Sequence, residues 1–292
     1  MQQRQAGKPT TQSVPSKIKS LRDLEFARVD GKPLRLNLHL PKESAKPLPV
    51  IVYIHGGRWQ VGGRKGCPLM HLVGRGYGVV SIDYRLVHEA IFPAQIHDCK
   101  AVIRWVRAHA EKYGLDPDRI GAWGNSAGGH LAALLGTSGG IKEVEGDLGG
   151  NLEYSSRVQA VVDFCGPTSF RLEDLMGLEG GNKGKTPDAV VKLLGGTIQR
   201  KPELARLASS VTFVSPDDPP FFIAHGKRDS TVPVSQAISL ATALERAGVE
   251  TTLQIDSQAG HGVGNPRIRR MAERFLDKHL KAKTNVASKP AS

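Results

Sequence analysis

Short apolar runs that each end in a polar or glycine-containing loop constrain the fold of this chain most. The runs are PLPVIVYIHGG, YGVVSIDYRL, VQAVVDFCGP and PPFFIAHGKRD, each rich in β-branched or aromatic residues. Such continuous runs are typical of strands that are buried on both faces. Helical segments separate several of them, among them PAQIHDCKAVIRWVRAHAEKYG, so the pattern predicts an α/β fold with a mostly parallel central sheet and helices on both faces.

We expect the 292 residues to form a single folded domain with tails. LEFARVDGKPLRLNLHLP alternates apolar and polar residues around an Asp-Gly pair, which predicts an edge hairpin. The domain is expected to span 21–282, with flexible polar or basic tails at 1–20 and 283–292. The stretch 139–196 is rich in Gly, Lys, Glu and Asp and is interpreted as an excursion that could serve as a small lid.

The net charge of +12 lies mostly at the two ends of the chain. Residues 1–20 carry four Lys/Arg and no acid, and 267–289 carry eight Lys/Arg against two acids. Basic ends without interleaved aromatic residues predict no nucleic-acid partner. Binding of polysaccharide or nucleic acid by these tails, in addition to a catalytic function, stays an open alternative. No apolar run approaches the ~18 residues of a membrane helix, so no membrane interaction is expected.

The N-terminus and the cysteines bear on the cellular compartment and on metal binding. The first twenty residues lack the apolar region of a signal peptide, so the protein is either intracellular or has lost a signal. Cys67, Cys99 and Cys165 are scattered without metal-ligand spacing and allow at most one disulfide. Neither a metal nor another cofactor is expected.

Gly124-Asn125-Ser126-Ala127-Gly128 is a G-x-S-x-G pattern between a predicted strand and a predicted helix. In that context it predicts a nucleophile elbow, a strained tight turn that holds the Ser126 hydroxyl out above the sheet. The helix that begins there aims free N–H groups and its positive dipole end at a developing oxyanion. The alternative is a Gly/Ser-rich turn without chemistry.

The segment HGGRW at 55–59 ends a buried strand upstream of this serine. Hydrolases with such an elbow place here a loop whose N–H groups bind the oxyanion, which predicts Gly57, Arg58 and Ala127 as donors. The pattern commonly reads H-G-G-G, and Arg58 in place of the third glycine leaves the backbone angles of the loop open. A plain glycine turn is the alternative.

Residues next to these two motifs are candidates for the substrate pocket. Trp59 directly follows the oxyanion loop, and Asn125 directly precedes the serine. For Trp59 a buried packing role is equally open. His55 is predicted to brace the oxyanion loop by hydrogen bonding.

The loops after the last two predicted strands supply an acid and a base. Asp229, in HGKRDSTVP, follows one strand, and His261, flanked by glycines, follows the next. Asp217 and Asp218 precede a strand and should lie at the opposite edge of the sheet, whereas Asp256 lies inside the last strand. A simple turn residue is the alternative for Asp229. Four other histidines are interpreted as structural: His97, His109, His130 and His279.

The chain order Ser126, Asp229, His261 is the order in which the α/β-hydrolase fold supplies a catalytic triad. In this scheme Ser126 is the nucleophile, His261 the general base and Asp229 the group that orients the base.

The chain resembles the esterase/lipase branch of the α/β-hydrolases. It is most similar to the bifunctional feruloyl and acetylxylan esterase-like group, to which the hormone-sensitive-lipase-like carboxylesterases are related. YIHGGRW, the block from FPAQIHDCK to GNSAGGHLAALLG, PPFFIAHGKRDSTVPVSQA and AGHG carry the resemblance, which runs from about Leu34 to Leu280. It implies hydrolysis of carboxylic esters without a cofactor, often short acyl or hydroxycinnamoyl groups on polysaccharide. Enzymes of this group are often exported, which would fit a secreted or periplasmic protein.

The predicted function is therefore that of a serine ester hydrolase that acts through an acyl-enzyme. An amidase, formamidase or peptidase with the same triad is one alternative, because only the pocket and leaving-group protonation differ. A non-catalytic hydrolase-fold protein that binds a small ligand is another.

Overall fold

The computed structural model describes residues 17–44, 46–175 and 186–281. One sheet runs through this part of the chain, with its strands in the order β1-β2-β4-β3-β5-β6-β7-β8. The strands are β1 (Ile18–Val29), β2 (Lys32–Pro41), β3 (Leu48–Ile54), β4 (Gly78–Ile82), β5 (Leu115–Asn125), β6 (Ala160–Phe164), β7 (Phe221–Gly226) and β8 (Thr251–Asp256). β2 pairs antiparallel with both β1 and β4, and the other neighbours are parallel. The mostly parallel sheet predicted from the sequence is confirmed.

Helices cover both faces of this sheet. The α-helices of the described ranges are α1 (Ala94–Ala108), α2 (Ala110–Tyr113), α3 (Ala127–Thr137), α4 (Lys142–Glu145), α5 (Asp188–Leu194), α6 (Pro202–Ala208), α7 (Ser235–Arg246) and α8 (Pro266–Leu280). Short 3₁₀-helices occur at Met70–Arg75, Leu172–Leu175 and Ser210–Thr212. Buried residues of α1, α3 and α7 share one core, and those of α8 and the first 3₁₀-helix share the other.

Strand β3 shows why a continuous apolar run is needed in the middle of this sheet. All seven of its residues are buried. Val50, Val52 and Ile54 lie in the core under α1 and α3, whereas Ile51 and Tyr53 lie in the core under α8. Successive strand side chains point to opposite faces, so a strand that is covered on both faces is apolar at every position.

The edge hairpin predicted from the sequence is present. β1 and β2 are joined by Asp30 and Gly31, which both have left-handed backbones, with φ of 47° and 77°. Two consecutive positive φ values suit a tight hairpin turn, and Asp-Gly is a favoured pair for it. The predicted long helix that starts near Pro93 is interrupted at His109, where α1 ends and α2 follows.

Two expected boundaries differ from the structure. β1 begins at Ile18, so the last residues of the expected tail at 1–20 belong to the sheet. The rest of that tail, up to residue 16, and the expected tail at 283–292 lie outside the described residues. The expected excursion at 139–196 contains β6, which lies between β5 and β7 in the sheet. The run VQAVVDFCGP predicts this strand, which is confirmed, so the expected bounds of the excursion are too wide around it. Residues 176–185 lie outside the described part, and the lid role stays a prediction.

The carboxyl ends of the parallel strands bring the predicted functional loops to one edge of the sheet. The 55–59 loop follows β3, and Ser126 follows β5. Asp229 and His261 lie in the loops after β7 and β8. This edge is where open α/β sheets place their binding sites. Within the described ranges, no helix is long and apolar enough to cross a membrane.

Candidate active site

Ser126 occupies a sharp turn between β5 and α3. Its backbone has φ 55° and ψ −121°, a strained combination for a residue with a side chain. A Cβ atom on Gly124 would lie 1.9 Å from the carbonyl oxygen of Gly128, and one on Gly128 would lie 2.0 Å from that of Ile54. No side chain fits at either glycine, which is the crowding that the G-x-S-x-G pattern predicts.

A continuous hydrogen-bond chain joins the three residues of the predicted triad. The Oγ atom of Ser126 lies 2.9 Å from Nε2 of His261. On the other side of the ring, Nδ1 of His261 lies 2.8 Å from Oδ2 of Asp229. The Asp229 side chain is fully buried, whereas that of His261 is 30% exposed. The imidazole can therefore be reached from solvent, while the acid behind it is shielded.

The Asp229 carboxylate is held in its charged form by several donors. Oδ1 accepts the backbone N–H groups of Thr231 at 2.8 Å and Val232 at 2.9 Å. Oδ2 faces Nε2 of His225 at 3.2 Å in addition to His261. Burial raises the pKa of Asp229, but the hydrogen bonds from His225, His261 and Val232 outweigh it and hold the pKa well below its ordinary value. An ionised Asp229 is the form that orients an Nδ1–H group and stabilises an imidazolium.

The loop after β3 turns tightly beside the serine. Gly57, Arg58 and Trp59 have successive positive φ values of 118°, 57° and 59°. A Cβ atom on Gly57 would lie 2.1 Å from the carbonyl oxygen of Val61. Arg58 thus adopts the left-handed angles that a third glycine would supply, so its departure from H-G-G-G preserves this backbone path. Ala127 is the first residue of α3, where backbone N–H groups have no partner within the helix.

His55 braces this loop, as the sequence predicts. Its Nδ1 atom lies 2.7 Å from the carbonyl oxygen of Gly56. Its ring stacks on Tyr84 with a centroid separation of 4.2 Å, and the Tyr84 hydroxyl donates to the His55 carbonyl at 3.0 Å. Burial lowers the pKa of His55, so the ring favours its neutral form.

Trp59 both packs in the core and lines the site. Its indole N–H donates to Nδ1 of His130 at 3.2 Å, and Nε2 of His130 in turn donates to the Ala208 carbonyl at 2.8 Å. Burial lowers the pKa of His130 to about 4, consistent with one acceptor and one donor nitrogen. The side chain of Trp59 is only 4% exposed, yet it also lines the cleft above Ser126. The buried packing role of Trp59 is confirmed, and its role in substrate binding stays a prediction.

A narrow cleft of about 30 Å³ opens at the serine. It is lined by Arg58, Trp59, Ser126, Ala127, Pro167, Pro187, Ala189, Val190, Thr231 and Val232. Asn125 is not among these residues, and its role in the pocket stays a prediction. Its Oδ1 atom is buried without a hydrogen-bond partner in the described part of the chain. Sequence patterns missed Pro167 and Thr231, although both follow strands that end at this edge.

The competing acids lie elsewhere. Asp217 precedes β7 and pairs with Arg157 at 2.9 Å. Asp256 ends β8, where it accepts from the backbone N–H of Gln258 and from the Asn265 side chain. Of the acids considered, Asp229 is the one that hydrogen-bonds His261.

Known proteins match this chain in sequence and in fold. The BD-FAE family model matches residues 36–244. The probable carboxylic ester hydrolase LipM of Mycobacterium tuberculosis is 39% identical over 198 residues, which are 65% of this chain and 43% of LipM. The chain spans about half the length of the curated relatives it matches.

Two solved structures share most of the fold. A truncated form of a carbohydrate esterase from gut microbiota has a TM-score of 0.82 at 30% identity, covering 92% of this chain and 99% of that one. An acetyl ester-xyloside bifunctional hydrolase from Caldicellulosiruptor lactoaceticus has a TM-score of 0.66 at 28% identity, covering 84% of this chain and 88% of that one. Because the family model matches more than half of the chain and the sheet is that of these esterases, the chain belongs to the BD-FAE family of esterases with the α/β-hydrolase fold.

Proposed function

We propose that this protein hydrolyses carboxylic esters through a covalent acyl-enzyme on Ser126. The observation that carries the proposal is the hydrogen-bond chain from Ser126 through His261 to Asp229, with distances of 2.9 and 2.8 Å. A hydroxyl is a weak nucleophile unless a base takes its proton, and an oriented imidazole is the common base for this purpose.

The proton inventory of the three residues fits this role. Asp229 carries a strongly lowered pKa and accepts from Nδ1 of His261, so the lone pair of the neutral ring is at Nε2, which faces the serine hydroxyl. In the proposed reaction, Nε2 takes the Ser126 proton as Oγ attacks the ester carbonyl. The same proton then passes to the leaving alcohol, and water repeats the cycle on the acyl-enzyme.

Backbone N–H groups of Gly57, Arg58 and Ala127 are proposed to stabilise the oxyanion. Two of these residues have the left-handed backbone of the tight loop after β3, and the third begins α3. Donors fixed by the backbone need no reorganisation when negative charge develops on the carbonyl oxygen, which is why such donors accelerate acyl transfer.

The cleft favours a short acyl group. Its volume of about 30 Å³ is well below the ~300 Å³ at which pockets for drug-sized ligands begin. Trp59 and Val190 form apolar walls beside Ser126 and are 4% and 2% exposed. An acetyl group fits such a space better than a hydroxycinnamoyl group. The related acetyl ester-xyloside hydrolase is consistent with acetyl esters of a carbohydrate as the substrate class.

Hydrolysis of a p-nitrophenyl ester series from acetate to long chains, together with methyl ferulate, tests the proposal. We expect the acetate ester to be preferred, and Ser126→Ala to lower kcat by at least about 10³-fold. Ser155→Ala is the control, since Ser155 precedes β6 at the opposite edge of the sheet and should leave the rate unchanged.

Matched anilide and amide substrates should be assayed in parallel. Faster turnover of the amides would replace the esterase assignment with an amidase or peptidase. Folded wild-type protein that binds these compounds without turning any of them over would indicate a ligand-binding protein instead.

A further inference from the structure

A buried thiol lies against the acid and base of the site. Cys165 follows β6 and has a left-handed backbone, with φ 49°. Its side chain is 1% exposed. The backbone N–H groups of Ser126 and Gly262 partly offset the rise that burial causes in the pKa of this thiol. The buried thiol therefore lies next to Asp229 and His261.

Three different metal-ligating atoms converge at this point. The Sγ atom of Cys165, a carboxylate oxygen of Asp229 and a ring nitrogen of His261 all lie within 4.8 Å of one another. Among the described residues, this is the group in which three such side chains lie at this spacing. Sulfur, imidazole nitrogen and carboxylate oxygen form a donor set that suits Zn²⁺.

We propose that Cys165, Asp229 and His261 form a binding site for Zn²⁺ or a similar thiophilic divalent cation, and that the bound ion inhibits the enzyme. The ion is an inhibitor and not a cofactor, because it occupies two of the groups that the reaction needs. The inhibition, though not the binding, rests on the proposed role of His261 as general base.

The three donor atoms lie within 4.8 Å of one another, so the distances from the sulfur need to shorten by up to about 1.3 Å to reach a tetrahedral site. Ligand distances of about 2.0–2.3 Å place the donors of a tetrahedral zinc about 3.3–3.6 Å apart. The Nδ1 atom of His261 and Oδ2 of Asp229 are 2.8 Å apart and need to separate by about 0.5 Å. His261 lies on a loop with a glycine on each side, and its side chain is partly exposed, so this shift has room.

Zinc binding releases one proton from the site. Without metal, burial and the nearby carboxylates of Asp163 and Asp229 raise the pKa of the Cys165 thiol to about 12, so the thiol is protonated. A coordinating zinc ion deprotonates a thiol, and one proton is released to solvent. The imidazole stays neutral while its proton moves from Nδ1 to Nε2. The bound ion then has one thiolate, one carboxylate and one neutral imidazole as ligands.

This change of tautomer explains why the ion inhibits. In the metal-free site Nε2 of His261 is the lone-pair atom that faces Ser126 at 2.9 Å. With zinc on Nδ1, Nε2 carries the proton and can only donate to the hydroxyl. The base is thereby removed, even though Ser126 stays in place.

The first test is inhibition of ester hydrolysis by ZnCl₂ in buffer without thiols or chelators. We expect inhibition that EDTA reverses and that is at least about tenfold weaker in Cys165→Ala, since the strongest zinc ligand is lost. Cys67→Ala removes a thiol outside the cluster and should respond like the wild type. Each variant is compared with its own metal-free rate. Equal zinc sensitivity of Cys165→Ala and wild type would overturn the proposal.

The second test measures binding without catalysis. Ser126→Ala is titrated with Co²⁺, whose bond to a thiolate gives a charge-transfer absorption band. We expect the band in Ser126→Ala and its absence when Cys165→Ala or Cys165→Ser is added, with near-UV circular dichroism to confirm folding. No band in folded Ser126→Ala would contradict the metal site. If Ser126→Ala shows the band but the wild-type protein hydrolyses no ester, the metal site is upheld and the esterase assignment is refuted.

Discussion

Next to Asp229, the proposed orienting acid, lies a second histidine, His225, to which the sequence analysis assigns no role. Nε2 of His225 faces two acceptors, the Val232 carbonyl at 2.8 Å and Oδ2 of Asp229 at 3.2 Å, so this nitrogen carries a proton and donates to both. The His225 side chain is fully buried. This second donor fixes the carboxylate in the orientation that His261 requires. His225 is therefore a positioning residue that acts through Asp229.

We expect His225→Ala to lower kcat about tenfold with little change in KM, because the substrate contacts are untouched while Asp229 loses a donor worth roughly 1–3 kcal/mol. His225→Gln, whose amide can donate at a similar position, should recover part of the rate. Steady-state kinetics on p-nitrophenyl acetate would check this. A change confined to KM, or no rescue by glutamine, would speak against positioning.

Asp163 should make stability depend on pH in an unusual direction. Its side chain is buried, with Oδ1 accepting the Gly166 N–H and Oδ2 unpaired among the described residues. Burial raises the pKa of Asp163 to about 6, against a partial offset from the Gly166 N–H and His225. The folded state then binds more protons than the unfolded chain between about pH 4 and pH 6, so its stability falls as pH rises through that window.

Asp163→Asn should remove this effect, since an amide keeps an acceptor for Gly166 and carries no charge. We expect a gain of up to about 3 kcal/mol in the free energy of unfolding at pH 8 and little gain at pH 4. Urea titrations at both pH values would measure it. Glu153→Gln, on the exposed surface, is the control and should change stability equally little at both.

At the scale of single elements, helix α5 is expected to set the acyl length. Val190, on α5, lines the cleft beside Ser126, whereas its neighbour Val191 does not. Removing two methyl groups from Val190 enlarges the space next to the reacting carbonyl. We expect Val190→Ala to raise the butyrate-to-acetate ratio of kcat/KM about tenfold. Val191→Ala should leave the ratio unchanged, and an equal shift in both variants would mean that α5 acts only through its stability.

Local pattern predicted the elements and the order of the triad, but not every contact between elements. Apolar runs and glycine-containing loops locate β3, β5 and β7 together with Ser126 and Asp229, since each signal lies within about ten residues. Cys165 and Asp229 lie close together because β6 and β7 are neighbours in the sheet. A local sequence pattern does not predict which strands are neighbours. Asn125 is expected in the pocket because it adjoins Ser126, but adjacency along the chain does not fix the direction of a side chain, and Asn125 is not among the residues that line the cleft.

At the scale of the whole molecule, two separate cores share one sheet. Leu131 on α3 lies in one core and Leu276 on α8 in the other, and both are fully buried. Strands such as β3 contribute alternate residues to the two cores. Loss of packing on one face therefore destabilises the strands, and the same strands carry the packing of the other face.

We expect Leu131→Ala and Leu276→Ala each to destabilise the protein by about 2–5 kcal/mol, because each leaves a cavity in a closely packed core. Each variant should still unfold in a single transition, with loss of activity coinciding with loss of helical circular dichroism. Ile238→Ala, at a side chain that is 47% exposed, should cost less than about 0.5 kcal/mol. If Leu276→Ala unfolded in two steps, with activity outlasting part of the helical signal, the α8 face would be an independent folding unit, and the active-site edge would depend on the α3 face alone.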